Sequence, residues 1–303
     1  MRISSTIRFS LFYTVVCFCL SSHAQTTRLD SLNNLIQVKT GTELLNLYVE
    51  AGKECIYVYP LKSVSYGEKL LSLGNELQDH SKDGIANMII GAGYLFSGNF
   101  EEGRRYTDKG LKIAQEHNNI EEECIGLNSL AAYYMNTGDY KKSLEIFKET
   151  LNKAKAANLT ERAAMVIFNI GAIYTNQGQL AEGLNAFQEA LTYFHQTGNN
   201  KFIARSLMNI AVNYNTWGNY DKALEYFENA DKYFVKINDK SGHFAALNNI
   251  GELYKDKGNY TEAIKFYSES LDIALDLKSQ LNEAVAYIGL AEAYLKLNET
   301  KKA

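Results

Sequence analysis

Proline is nearly missing from this 303-residue chain; Pro60 is the only one. Proline costs a helix interior a hydrogen bond and adds a clash, so its absence removes the commonest helix breaker. Alanine, leucine, asparagine, lysine and glutamate, spread throughout, suit a chain that is helical almost end to end. Strands are expected to be scarce. Cysteine is sparse as well. Cys17 and Cys19 lie in the N-terminal segment, which leaves Cys55 and Cys124 on apolar helical faces far apart in the chain, and buried free thiols are expected of them rather than a disulfide. The five histidines (His23, His80, His117, His195, His243) are scattered, with no His-x-x-x-His or Cys-x-x-Cys pair to hold a metal. A catalytic constellation, a metal and a cofactor are therefore not expected, and these residues do not read as an enzyme. Positive charge is not in excess either: the formal net charge is −4, and without a basic stripe nucleic acid is a poor partner.

A long apolar run is also missing, except at residues 9–20. Arg2 and Arg8 precede that run, and Ser22-His23-Ala24 closes it with small residues at the −3 and −1 places. Residues 1–24 read as a secretory signal peptide cleaved after Ala24. The run is too short for the roughly 20 residues of a membrane span, and neither Cys17 nor Cys19 follows a lipoprotein signal pattern. Losing Arg2 and Arg8 with that segment would take the charge from −4 to −6. The expected location is outside the inner membrane of a Gram-negative bacterium, in the periplasm or beyond. No membrane insertion is expected after cleavage, although a tether is possible if the chain continues.

What the sequence does contain is a ruler of forty residues. Tyrosine recurs at 94, 134, 174, 214, 254 and 294. Three residues earlier stands Gly91, Ala131, Gly171, Ala211, Gly251 or Ala291, and one before that an isoleucine or leucine. Four residues after the tyrosines come Gly98, Gly138, Gly178, Gly218 and Gly258, with Asn298 closing the series. Offsets of one and three put the apolar, small and tyrosine residues on one face of a helix, helix A. The following glycine ends that helix in the left-handed conformation. Asn99, Asp139, Asn219 and Asn259 are placed to cap helix B, with Glu102 and Glu262 where a capping-box partner belongs. Helix B carries a small residue and then an aromatic four later, as in Ser143/Phe147 and Ala263/Tyr267. Each columnar tyrosine is expected to pack against the small residue of its own helix B or of the next helix A. Residues 91–98, GAGYLFSG, miss the third glycine of a dinucleotide loop and the lysine of a P-loop; the ruler accounts for Gly91 and Gly98 as packing and turn residues.

The pattern Leu247-x-x-Ile250-Gly251-x-x-Tyr254, then Gly258, Ala263, Tyr267 and Ser270, resembles the tetratricopeptide repeat. The resemblance covers residues from about 40 to the end. It departs in period, 40 rather than 34, and in lacking the closing proline, and so is similar to the long repeats of kinesin light chains and bacterial peptide-sensing regulators. It implies an all-α, right-handed superhelical solenoid of antiparallel hairpins whose concave wall is made mostly of A helices. After a lead segment, residues 25–40, the array would occupy residues 41–303 in about seven units. The first is degenerate, with Pro60 opening its helix B; the last is incomplete, leaving Leu290, Tyr294 and Leu297 without a partner helix. The chain is expected to run on past Ala303.

With the columnar glycine as position eight, positions two, six, nine and thirteen of helix A should point away from helix B. Position six reads Ile89, Ser129, Asn169, Asn209, Asn249, Gly289. Asn169, Asn209 and Asn249 could form a ladder that bonds an extended backbone, as the resemblance implies; equally, they could bond neighbours across the repeat joint. Met165, Asn176 and Arg205 share this mixed stretch of wall. Ile85, Ile89, Ala92 and Phe96 would make one end apolar, unless residues 25–43 fold over it, and Glu252, Asp256 and Glu292 would make the other end acidic. Trp217 reads as a local packing residue. The function expected is an exported, non-catalytic module that holds a peptide or protein segment; the alternative is the sensory region of a longer membrane signalling protein.

Overall fold

The computed structural model describes residues 22–56 and 59–302. Among these there are fourteen α-helices and no strand: α1 Ser22–Ile36, α2 Gly41–Cys55, α3 Pro60–Leu77, α4 Asp83–Phe96, α5 Phe100–Glu116, α6 Ile120–Asn136, α7 Tyr140–Ala156, α8 Thr160–Asn176, α9 Leu180–Thr197, α10 Asn200–Thr216, α11 Tyr220–Lys236, α12 Lys240–Asp256, α13 Tyr260–Asp276 and α14 Gln280–Lys302. The expected all-α fold of stacked hairpins is what the chain adopts. Most of the proposed signal segment, residues 1–21, lies outside the described residues; α1 starts at Ser22 and continues through Ala24. Two compact units divide within α8, one of residues 25–173 and one of residues 174–303.

The hairpin turns follow from backbone chemistry. Gly98, Gly138, Gly178, Gly218 and Gly258 all have positive φ, between 75° and 87°, the conformation that side-chain-bearing residues resist. In the same turns the amide of Asn99 donates to the carbonyl of Tyr94 at 2.9 Å and that of Asn259 to Tyr254 at 2.8 Å, closing the helix end in a Schellman pattern. This bond occupies the N–H that a capping-box glutamate would need, so Glu102 turns instead to Arg105. Asn99, Asp139 and Asn219 cap helix B through their side chains as expected, whereas Asn259 makes no side-chain cap bond. A second left-handed column, not foreseen, ends the B helices at Gln78, Asn118, Asn158, Gly198, Asn238 and Lys278. The next residues Asn119, Asn199 and Asp239 cap the A helices. Asn298 does not end helix A: α14 runs through it to Lys302.

The core lies between the A and B helices. A Cβ at Gly251 would sit 2.9 Å from the ring of Tyr267, and one at Gly91 would come within 2.8 Å of the Thr107 amide nitrogen. The small column of helix A thus receives the residue sixteen later, and Phe147, Phe187, Phe227 and Tyr267 in that column are almost wholly buried, each worth about 1.5–3 kcal/mol. Tyr254 packs as expected against the cluster that holds Ala263, the small residue of its own helix B. A further partner, not foreseen, is a ring twelve residues on: Tyr94 stacks on Tyr106, Tyr214 on Tyr226 and Tyr254 on Phe266. Pro60 opens α3. Cys55 and Cys124 are free and buried, and burial pushes the Cys55 thiol up to about 11.

Candidate binding surface

In the unit of residues 25–173 the expected apolar end of the wall is closed. Ile85, Ile89 and Ala92 on α4 are at most 5% exposed. Ile85 and Ile89 pack with Met88 and Ala114 against Val49 of α2 and Ile125 of α6, and Ile89 also lies over Gly52 of α2. Position six therefore points at the neighbouring A helix rather than into solvent. Residues 25–43 are not the cover: α1 packs Leu29 and Leu32 against Ala51, Cys55 and Tyr66 of α2 and α3, with Arg28 paired to Glu50 and Glu54. Further along the same unit Asn169 is half-buried, and its Nδ2 donates to Oδ1 of Asn128 at 2.9 Å. Met165, also half-buried, has its sulfur 4.0 Å from Arg162, and Arg162 pairs with Glu121 at 3.0 Å.

In the unit of residues 174–303 the A helices present polar groups. Asn249 places its Nδ2 3.5 Å from the sulfur of Met208, one A helix back on α10. Asn209 donates to the Arg205 carbonyl within its own turn at 2.9 Å. All three columnar asparagines are half-buried with the amide nitrogen engaged inside the fold, not free in solvent as expected. A second N–H and the acceptor Oδ1 are the groups each can still offer. Arg205 is half-buried with its guanidinium over the Phe202 ring at 5.5 Å. Asn176, half-buried, follows Thr175 at the end of α8.

Two residues that sequence reasoning passed over complete this wall. Asn213 is fully buried and bonds Thr175 at 3.2 Å and the Asn209 carbonyl at 3.2 Å; the signal was a polar residue at position ten, where Ile173 and Leu253 stand in the flanking repeats. Asn215 bonds the Asp256 carboxyl, and its own side-chain oxygen is buried without a partner. The acidic end is present. Lys255 joins Glu252 at 2.8 Å to Glu292 at 2.6 Å, and Glu252 accepts from the Tyr267 hydroxyl at 2.7 Å. Burial, and then the Glu252 charge, pushes the Asp256 carboxyl up to about 6. Trp217 meets the edge of Tyr214 with centroids 6.0 Å apart, yet is 47% exposed. Among the described residues no cluster of metal-ligating side chains occurs, and no helix is long and apolar enough to cross a membrane.

Hairpins of one length, repeated at one interval with small-on-aromatic packing, define a helical-repeat protein. The particular repeat is the tetratricopeptide: its family patterns match residues 127–158, 159–230 and 243–303, more than half of the chain, and the chain belongs to that family. Among curated proteins no sequence matches it. Solved structures share the fold. A STAND signal-transduction ATPase with a tetratricopeptide repeat sensor, from Pyrococcus horikoshii, is 22% identical over 89% of this chain, with a TM-score of 0.63. The chain spans only 43% of that protein's length. A Rap protein complexed with competence and sporulation factor is 15% identical, covering 99% of this chain and 89% of its own, with a TM-score of 0.62. NprR in complex with its cognate peptide NprX is 19% identical over 84% of this chain and 74% of its own, with a TM-score of 0.55.

Proposed function

We propose that this protein is an exported, non-catalytic binding module that holds a peptide or protein segment in an extended form against its A helices. Asn169, Asn209 and Asn249 carry the reading. Each has one amide N–H engaged within the fold and keeps a second N–H and Oδ1, a donor and an acceptor, which suits the C=O and N–H groups of an extended backbone. Met165, one turn before Asn169 in the unit of residues 25–173, and Arg205 and Asn176 in the unit of residues 174–303 that holds Asn209 and Asn249, would contact the ligand's side chains. The Rap protein and NprR, solved with a factor and with a peptide, support a peptide as ligand. Export rests on the sequence of residues 1–24, and the periplasm is the compartment it implies.

A second reading is supported by the Pyrococcus ATPase, whose repeats are described as a sensor: these residues would be the extracytoplasmic sensory region of a longer membrane signalling protein. One experiment tests the binding common to both. A displayed library of random peptides is selected on the wild-type chain and on the Asn169→Ala, Asn209→Ala, Asn249→Ala triple variant. Enrichment of a shared motif by wild type alone is the expected result. Equal enrichment on both, or none on wild type at helicity unchanged from the free protein, removes these asparagines as binding elements.

A further inference from the structure

The turn between α10 and α11 holds the chain's one tryptophan. Trp217 stands directly before the left-handed Gly218, and in the four other turns closed by such a glycine the same place is polar: Ser97, Thr137, Gln177 and Lys257. The hairpin therefore does not need an indole there. Nor is the ring there to be buried, since it is 47% exposed and meets Tyr214 edge-on with centroids 6.0 Å apart. It forms one wall of a cleft of about 440 Å³, a volume within the range of small-molecule sites. Asn219, Tyr220 and Asp221 of the same turn and Lys257 from the end of α12 line the rest. The side-chain oxygen of Asn219 is occupied in capping the Lys222 amide. Lys257 Nζ stands 3.1 Å from Oδ1 of Asp221, whose side chain is 94% exposed.

We propose that this cleft binds a neutral saccharide, independently of the asparagines on the A helices. The half-exposed indole offers a flat apolar surface on which the C–H face of a pyranose ring can pack. Charges of both signs beside it then select the ligand. A quaternary ammonium would suit the ring but meets the Lys257 ammonium, and a phosphate or carboxylate meets Asp221. A hydroxyl has neither conflict, because it donates to a carboxylate and accepts from an ammonium. Lys257 spends one of its three donors on Asp221, and Asp221 keeps its second oxygen in solvent, so both can bond neighbouring hydroxyls without breaking their pair. Tyr214, itself stacked on Tyr226, supports the indole from the side, which lowers the cost of ordering it on binding.

Because Trp217 is the single tryptophan, its emission reports on this cleft alone. The full chain is titrated with neutral trisaccharides of glucose, mannose, galactose and N-acetylglucosamine, and in parallel with choline and inorganic phosphate. At least one trisaccharide should shift the emission to the blue and saturate, while choline and phosphate should not. Calorimetry with that trisaccharide then compares variants. Trp217→Ser, the side chain that the turn at Gly98 already tolerates, should weaken binding about tenfold or more at an unchanged melting temperature. Asp221→Ala, at a solvated side chain, should weaken it by a smaller factor and decides the matter should Trp217→Ser disturb the fold. The absence of a saturable shift with every trisaccharide overturns the proposal, as does an equal shift with choline or phosphate, or binding that both variants leave intact.

Discussion

The A helices of residues 25–173 and those of residues 174–303 follow one register and make different walls. In α4, positions two, six and nine are Ile85, Ile89 and Ala92, all buried against neighbouring helices. In α12 the same positions are Ala245, Asn249 and Glu252, and the last two are half-buried polar groups with internal bonds. The ruler sets where helices run and where they turn. It leaves these columns free, and there α4 of the first unit is sealed with hydrocarbon, with polar Ser129 and Asn169 following later in that unit, while α12 of the second carries amides and carboxylates. A repeat array can differentiate in this way because hairpin packing uses other columns.

The harshest way to break the comparison is at the packing column the units share. Gly91→Leu drives its Cβ into the backbone at Thr107 and Gly103, which cannot move aside, and should cost about 3 kcal/mol or more. Gly251→Leu meets the Tyr267 ring, which can rotate, and should cost about 1–3 kcal/mol. Urea unfolding followed by circular dichroism checks both, and equal or negligible losses would contradict the small-on-aromatic packing.

Exchanging position six sharpens the contrast. Ile89→Asn places an amide in a dry seam and should destabilise by about 2–4 kcal/mol. Asn209→Ile loses one local hydrogen bond and should change stability by less than about 1.5 kcal/mol. Similar denaturation midpoints for the two would show that the walls do not differ as described.

Smaller effects concern ionisation. The Asp256 carboxyl is raised to about 6 from an ordinary value of 3.8, so the folded state prefers it protonated. Its unfavourable contribution is absent below about pH 4 and sets in as pH rises through 6. Asp256→Asn should therefore raise the melting temperature modestly at pH 7.5 and leave it unchanged at pH 4; a gain confined to acid would reverse the sign. Least visible are Cys55 and Cys124. Both are buried with thiols raised by desolvation, and neither should react with a maleimide at pH 7 until the protein is denatured.

The sequence alone determined the helices, their ends and their pairing. Glycine at left-handed turns, small residues opposite aromatics and a proline confined to Pro60 are local or strictly periodic requirements, and a forty-residue ruler displays them without coordinates. Even the unforeseen turn column was visible as Asn118, Asn158, Gly198 and Asn238. The candidate site was legible only as a column of residue types. Whether Ile89 lines a groove or a seam depends on how closely α2 approaches α4, and that is set by Gly52, in a unit too degenerate for the ruler to align. Whether Asn169 meets solvent or Asn128 depends on the neighbouring helix one repeat back. Such contacts join residues about forty apart, and only the stacked tertiary structure decides which side chains meet across the joint.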